Sequence, residues 1–257
     1  TGVVQADSSV FEDETGIITV SGGSLSYLQI RDEGNGGGLS IGDISLTTDE
    51  SLTMYAAGYD ADDNYLSDQD VSWSVTGTLD AVTNSGSSIT FSPSTSSTSG
   101  TIVVSSGGVT GDATGTITVG SGALDRIAIL DDTNGNGSVI ESLSFTTDES
   151  TTMYMAGYDA DDNYIRDVKV QWTVQGDIGE VNTGGIYTSS TIFTATTIGT
   201  GVVQADSSVF EDETGIITVS GGSLSYLQIR EEGNGGGSIV GDVSLSTDEI
   251  LTMYAAG

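Results

Sequence analysis

The octapeptide Gly58-Tyr-Asp-Ala-Asp-Asp-Asn-Tyr65 returns as Gly157-Tyr-Asp-Ala-Asp-Asp-Asn-Tyr164, 99 positions later. Each copy leads into an alternating run, Val71-Ser-Trp-Ser-Val75 and Val170-Gln-Trp-Thr-Val174. A polar turn followed by period-2 alternation reads as a turn entering a half-buried strand. Its recurrence at fixed spacing makes the chain a tandem array of units of about 100 residues. A longer repeat contains the shorter one: residues 1–58 return as 200–257, with scattered changes such as Asp32 to Glu231 and Ser51 to Ile250. This predicts a window on a longer polymer of repeats. Residues 1–22 are the closing strands of a preceding unit, 23–121 and 122–221 are complete units, and 222–257 are the opening strands of a following one.

Composition narrows the function classes. Thirty-seven Asp+Glu against five Lys+Arg, with no histidine, give a formal charge of −32 over 257 residues. Such a chain repels nucleic acid and anionic membranes, so its partners are cations, neutral sugars or basic surfaces. The absence of cysteine removes disulfides, thiol catalysis and thiolate metal sites. The many Gly, Ser and Thr residues would suit disorder, but the period-2 apolar runs argue for packed strands. No window approaches about 18 consecutive apolar residues, so nothing here is expected to insert in a membrane.

The first complete unit opens with Leu25-Ser-Tyr-Leu-Gln-Ile30, in which Leu28 and Ile30 share a face, followed by the turn Gly34-Asn-Gly-Gly-Gly38. Alternation predicts Leu52, Met54 and Ala56 inward against Val71, Trp73 and Val75, as one antiparallel pair with one wet face. Short runs at 88–91, 101–104 and 115–119 complete the unit, and the only proline, Pro93, suits a strand end. The second unit repeats the order, with runs at 124–130, 143–145, 153–155, 170–174, 192–193, 201–203 and 215–219. Tyr187 is also assigned to it. No 3.6-residue pattern occurs. About seven short strands per unit, turns every 8–12 residues and one tryptophan after the second long strand predict an all-β fold of tandem immunoglobulin-like β-sandwich domains. A closed barrel is the alternative.

These residues resemble the bacterial immunoglobulin-like repeats of surface proteins. The matching pieces are Gly157 to Tyr164, Val170 to Val174, Gly179-Glu-Val181, Gly185-Ile-Tyr-Thr188 and Gly199-Thr-Gly-Val-Val-Gln-Ala205. Asp63 and Asp162 stand where that family commonly has glycine, and Tyr65 and Tyr164 where proline is common. The resemblance implies stalks, adhesin arms or accessory modules at an extracellular cell surface, and fixes fold more firmly than function.

Two sets of oxygen donors suit Ca²⁺, which takes six to eight oxygens. One is the repeated loop: Asp60, Asp62, Asp63 and Asn64, and again Asp159, Asp161, Asp162 and Asn163. A solvated turn whose Asp and Asn cap the backbone accounts for it equally well. The other is Asp132, Asn134, Asn136 and Glu141, the first half of a D-x-N-x-N-G calcium loop with its Glu at the tenth place. The counterparts at 33–38 and 232–237 have lost side-chain ligands and read as Gly-rich hairpins. Calcium at these turns and at the Asp49-Glu50, Asp148-Glu149 and Asp248-Glu249 pairs would stiffen the joints between units. Tyr55, Tyr154 and Tyr254, expected on an exposed strand face, suit lateral packing ahead of sugar stacking.

Without His or Cys there is no Ser-His or Cys-His pair, and Lys169 has Asp70 at its equivalent, so no enzyme is expected. Counting carboxylates leaves a glycosidase pair open, but active sites are not usually copied into every unit of an array. The expected function is structural: part of a prokaryotic surface filament or stalk whose partners are neighbouring copies of the same repeat chain. The alternatives are a calcium-dependent adhesin module that binds glycans or a host surface, and an ancillary domain of a secreted hydrolase.

Overall fold

The computed structural model describes residues 1–182 and 186–257. All regular elements among them are β-strands, so the fold class is the all-β, immunoglobulin-like sandwich. Gly185, quoted above in the family motif, lies outside the described residues. The chain forms two compact units: Thr1–Arg126 with Tyr158–Ile165, and Ile127–Gly157 with Arg166–Gly257. The second acidic loop thus belongs to the first unit.

In the first unit the strand Leu52–Tyr59 pairs antiparallel with Tyr27–Arg31, Tyr65–Asp68 and Ser88–Phe91. Val71–Val75 pairs instead with Ile102–Ser106 and Ser85–Gly86. This corrects the expected pairing of residues 52–56 with 71–75. The two strands are not neighbours; their inward residues Met54, Ala56, Val71 and Trp73 meet in one core with Phe91, Ile102 and Val104. Alternation fixes the face a side chain takes, not the strand beside it. Trp73 is 3% exposed, and its Nε1–H donates to the Gly86 carbonyl at 2.8 Å, which satisfies the polar edge of a large buried ring.

A parallel pairing was not legible in the sequence: Ile117–Gly120 runs parallel to Ile44–Thr47, and in the second unit Ile217–Ser220 runs parallel to Leu143–Thr146. The short strands Tyr65–Asp68, Thr98–Gly100 and Val109–Ala113 were also missed, because they carry little alternation. In the second unit Ser150–Tyr158 pairs with Ser190–Ala195, and Gln171–Gln175 with Gly199–Asp206. Met153, Met155, Phe193, Trp172, Val203 and Ile217 are buried there, while Tyr187 is outside the strands and 47% exposed. Within residues 1–22, Gln5–Asp7 pairs antiparallel with Glu12–Glu14, and Gly2 bridges Ile18.

Candidate functional site

Each octapeptide closes a hairpin. The Asp60 N–H donates to the Asn64 carbonyl, and the Asp159 N–H to that of Asn163, both at 3.1 Å. The turn needs one left-handed residue, and Asp63 (φ 64°) and Asp162 (φ 65°) supply it. Asp tolerates that region better than most residues, which suits it to a turn position that would otherwise favour glycine.

The Asp60 carboxylate organises the first loop. Its Oδ1 accepts from the N–H groups of Asp62 (3.0 Å) and Asn64 (2.9 Å), and both oxygens accept from Asn64 Nδ2. Its Oδ2 accepts from the Gly23 N–H at 2.8 Å. The Gly23 bond first, then those from Asn64, hold the carboxyl down at about 2, against an ordinary 3.8. Asp159 repeats this set with Asp161, Asn163 and the Gly122 N–H (2.9 Å). It adds one donor: the Thr48 hydroxyl, 2.8 Å from Oδ2. Burial pushes Asp159 up, but the bonds from Gly122, Thr48 and Asn163 outweigh it and bring the carboxyl to about 2. Asn163 is also tied into the first unit, donating from Nδ2 to the Ser94 carbonyl (2.9 Å) and accepting the Ser96 N–H at Oδ1 (3.0 Å).

The third acid of each loop meets different partners. The Tyr27 hydroxyl donates to Asp63 Oδ1 at 2.7 Å, and its ring stacks on Tyr59 with centroids 5.3 Å apart. That bond, then burial, pushes the phenol up to about 12. At the equivalent place Arg126 pairs with Asp162 at 2.9 Å and lies 4.2 Å over the Tyr158 ring. Both keep an aromatic face below and a donor to the Asp above.

Of the residues expected to ligate calcium, Asp60 and Asp159 thus point their oxygens at N–H and O–H donors, and a cation would have to displace those bonds. Asp63 and Asp162 face Tyr27 and Arg126. Asp62 and Asp161 are exposed. Asp132, Asn134 and Asn136 form part of a hairpin turn. The Asn136 N–H donates to the Thr133 carbonyl at 3.1 Å, with positive φ at Asn134 (56°) and Gly135 (70°), the type I′ geometry that Asn-Gly favours. The same turn occurs at Gly34–Gly37 and Gly233–Gly236. Glu141 lies beyond it with its carbonyl against Gly215, where a Cβ would collide. Among the described residues no three Asp or Glu side chains gather into a set that could hold a metal ion.

Other carboxylates serve as backbone clips that the sequence reading missed. Asp32 and Asp131 accept the Leu39 and Ser138 N–H groups across the glycine-rich turns, at 2.6 and 2.7 Å. Asp112 and Asp212 accept from Ile30 and Ile129, both at 2.7 Å. Glu50, Glu149 and Glu249 each accept the N–H three residues back. Asp49 and Asp148 hold the linker N–H groups of Ala123 and Ser223. The available signal was an acid held at one place in each repeat while its neighbours changed. Tyr55 is half-buried and lies over Gly34, as Tyr254 lies over Gly233; both cover their turns.

Two open grooves each have a volume of about 540 Å³. The one at Ser72, Ser85 and Ser105 holds the single carboxylate Asp70. The other holds Glu141 and Asp131, which already accepts the Ser138 N–H.

No protein-family model matches this chain, and no curated protein matches it. Solved structures do. The Escherichia coli adhesin FdeC is 17% identical, with a TM-score of 0.36 over 82% of this chain and 71% of that one. Domains 4–9 of the surface layer protein SbsC are 16% identical, with a TM-score of 0.32, over 90% of this chain and 37% of that one. The Yersinia pseudotuberculosis adhesin InvE is 18% identical, with a TM-score of 0.28, over 69% of this chain and 56% of that one.

Proposed function

We propose that this chain is a segment of a tandem immunoglobulin-like scaffold, of the bacterial surface-repeat type, that builds an extracellular filament or stalk on a prokaryotic cell. The observation that carries this reading is the use of the repeated carboxylates. In each repeat they are spent on backbone N–H groups of turns and linkers, so the selected feature is a stiff, regularly folded bead rather than a reaction centre. The near-identity of 1–58 and 200–257 adds that one two-repeat block is copied along the chain. A charge of −32 keeps such beads apart and soluble. Cations enter this reading as a screening atmosphere around exposed acids such as Asp62 and Asp161, ahead of calcium held at a defined site.

Electron microscopy of the native material, with calcium and after chelation, tests the reading. Continuous fibres with a regular axial repeat are the expected result. Isolated strings ending in a distinct tip would move the function to that tip and make this segment an adhesin's arm. Fibres that loosen on chelation would restore a ligated metal.

A further inference from the structure

We infer that Asn136, in the glycine-rich turn of the second unit, is a glycosylation site whose carboxamide nitrogen receives a glycan from a glycosyl ester of a lipid pyrophosphate. The inference rests on the extracellular placement proposed above and adds a covalent modification to it.

The chain has eight asparagines, and Asn136 alone is followed two residues on by Ser or Thr, as Asn136-Gly-Ser138. Asn-x-Ser/Thr with no proline in the middle is the acceptor pattern for asparagine-linked glycans on surface turns. The structure puts this copy where an acceptor has to be. Asn136 and Ser138 are both exposed. The Asn136 N–H closes the turn on the Thr133 carbonyl at 3.1 Å, and the Ser138 N–H is held by Asp131 Oδ1 at 2.7 Å. Backbone groups therefore fix the turn, and among the described residues the Asn136 carboxamide and the Ser138 hydroxyl make no hydrogen bond. Other asparagine side chains are engaged: Asn134 donates to the Thr133 hydroxyl, Asn64 to Asp60 and Asn163 to Asp159. Position 137 has to be glycine, because a Cβ there would collide with the Asp132 nitrogen and Asp131 Oδ1. An open groove lined by Asp131, Ser138, Ser142 and Thr151 begins beside the turn, so a bulky group has room.

The same turn in the other copies shows that the pattern is dispensable for folding. Gly37 and Gly236 stand in place of Asn136, and Leu39 in place of Ser138, with the turn bond kept at Gly37 and Gly236. The glycan thus marks the second unit and not the first. In the transfer, Asn136 Nδ2 forms a bond to the anomeric carbon and gives up one proton. The bond from that carbon to the phosphate oxygen breaks, and the lipid pyrophosphate leaves with the electron pair.

Peptide mass spectrometry of the native material tests this. Trypsin cuts after Arg126 and Arg166 and at no residue between them, so it releases residues 127–166 as one peptide. That peptide should be heavier than its sequence by the mass of a glycan. Treatment with a peptide amidase that removes asparagine-linked glycans, in ¹⁸O water, should leave ¹⁸O-labelled Asp at 136. Asn136→Gly and Ser138→Leu, made in the source cell, install the residues of the first unit's own turn, so melting should be unchanged while the glycan is lost. Ser138→Thr should keep it. A native peptide of unmodified mass, a glycan that the amidase does not release, or one that survives Asn136→Gly would each overturn the inference. Fibres carrying the unmodified peptide would sink this site and leave the filament standing; a glycan at Asn136 on material that forms no fibres would do the reverse.

Discussion

Asp60 and Asp159 hold their loops with the same bonds, and both carboxyls lie at about 2. Their surroundings differ. Asp159 adds the Thr48 hydroxyl, and its loop partner Asn163 adds Ser94 and Ser96; among the described residues, Asp60 adds Gly23 beyond its own loop. One member of each loop's surroundings has been exchanged outright, Tyr27 for Arg126, with the acceptor and the aromatic face retained. Eight identical residues therefore fix a loop's internal geometry, while the residues it touches set how much the fold depends on it.

The largest expected break in this parallel is Asp159→Ala. It strands the buried Thr48 hydroxyl and the part-buried bonds from the Gly122, Asp161 and Asn163 N–H groups, at about 1 kcal/mol apiece and so about 3 kcal/mol in all. Asp60→Ala should lower the urea midpoint by clearly less. Equal losses from the two substitutions would mean that Thr48 and the Ser94–Ser96 contacts contribute nothing.

Acid sharpens the comparison next. Both carboxyls are depressed in the folded state, from 3.8 to about 2. Their contribution is therefore complete above about pH 4 and is lost as pH falls from there through 2. Melting temperature followed from pH 6 to pH 2 should fall in that window. Asp159→Asn should flatten the fall, because the group that takes up the proton has gone; an unchanged slope would place the titration elsewhere.

Thr48→Val isolates the added hydroxyl at nearly constant volume and should cost about 1 kcal/mol by denaturant titration. If it costs nothing, the Thr48–Asp159 bond cannot explain any difference between the loops. Smaller again is Arg126→Ala, at about 0.5 kcal/mol or less for a solvent-facing pair. Its effect should shrink at 1 M NaCl, whereas the cost of Tyr27→Phe should not, because the Tyr27 bond involves no cation. Last, chelation should leave the melting of wild-type protein unchanged. A calcium-specific rise absent with magnesium would show that one of the loops does ligate metal.

Much of the fold was legible. Apolar residues alternating through Leu52 to Ala56 and Val71 to Val75 identify strands, and Met54, Ala56, Val71 and Trp73 are buried as expected. Pairing was not legible, because alternation is silent about neighbours and the parallel contact of Ile44–Thr47 with Ile117–Gly120 joins segments far apart in sequence. In the candidate site, the repeated Asp and Asn stand out in the sequence as a unit. What they do depends on where their lone pairs point, and the donors at Gly23, Gly122 and Thr48 are remote in sequence from the loops they complete. Asn134 read as a metal ligand because a D-x-N-x-N-G pattern and an Asn-Gly turn share letters.

The repeat itself separates the two kinds of information. Sequence alone determined the period and the strand-forming runs, both of which depend on neighbours a few residues away. It did not determine which strands lie side by side or which donor meets each acid. Leu52–Tyr59 lies beside Ser88–Phe91 and Val71–Val75 beside Ile102–Ser106, and Asp159 meets the Thr48 hydroxyl across a separation of 111 residues. Partners of this kind come from segments tens of residues away, about which local alternation and turn letters are silent, so tertiary structure decided them.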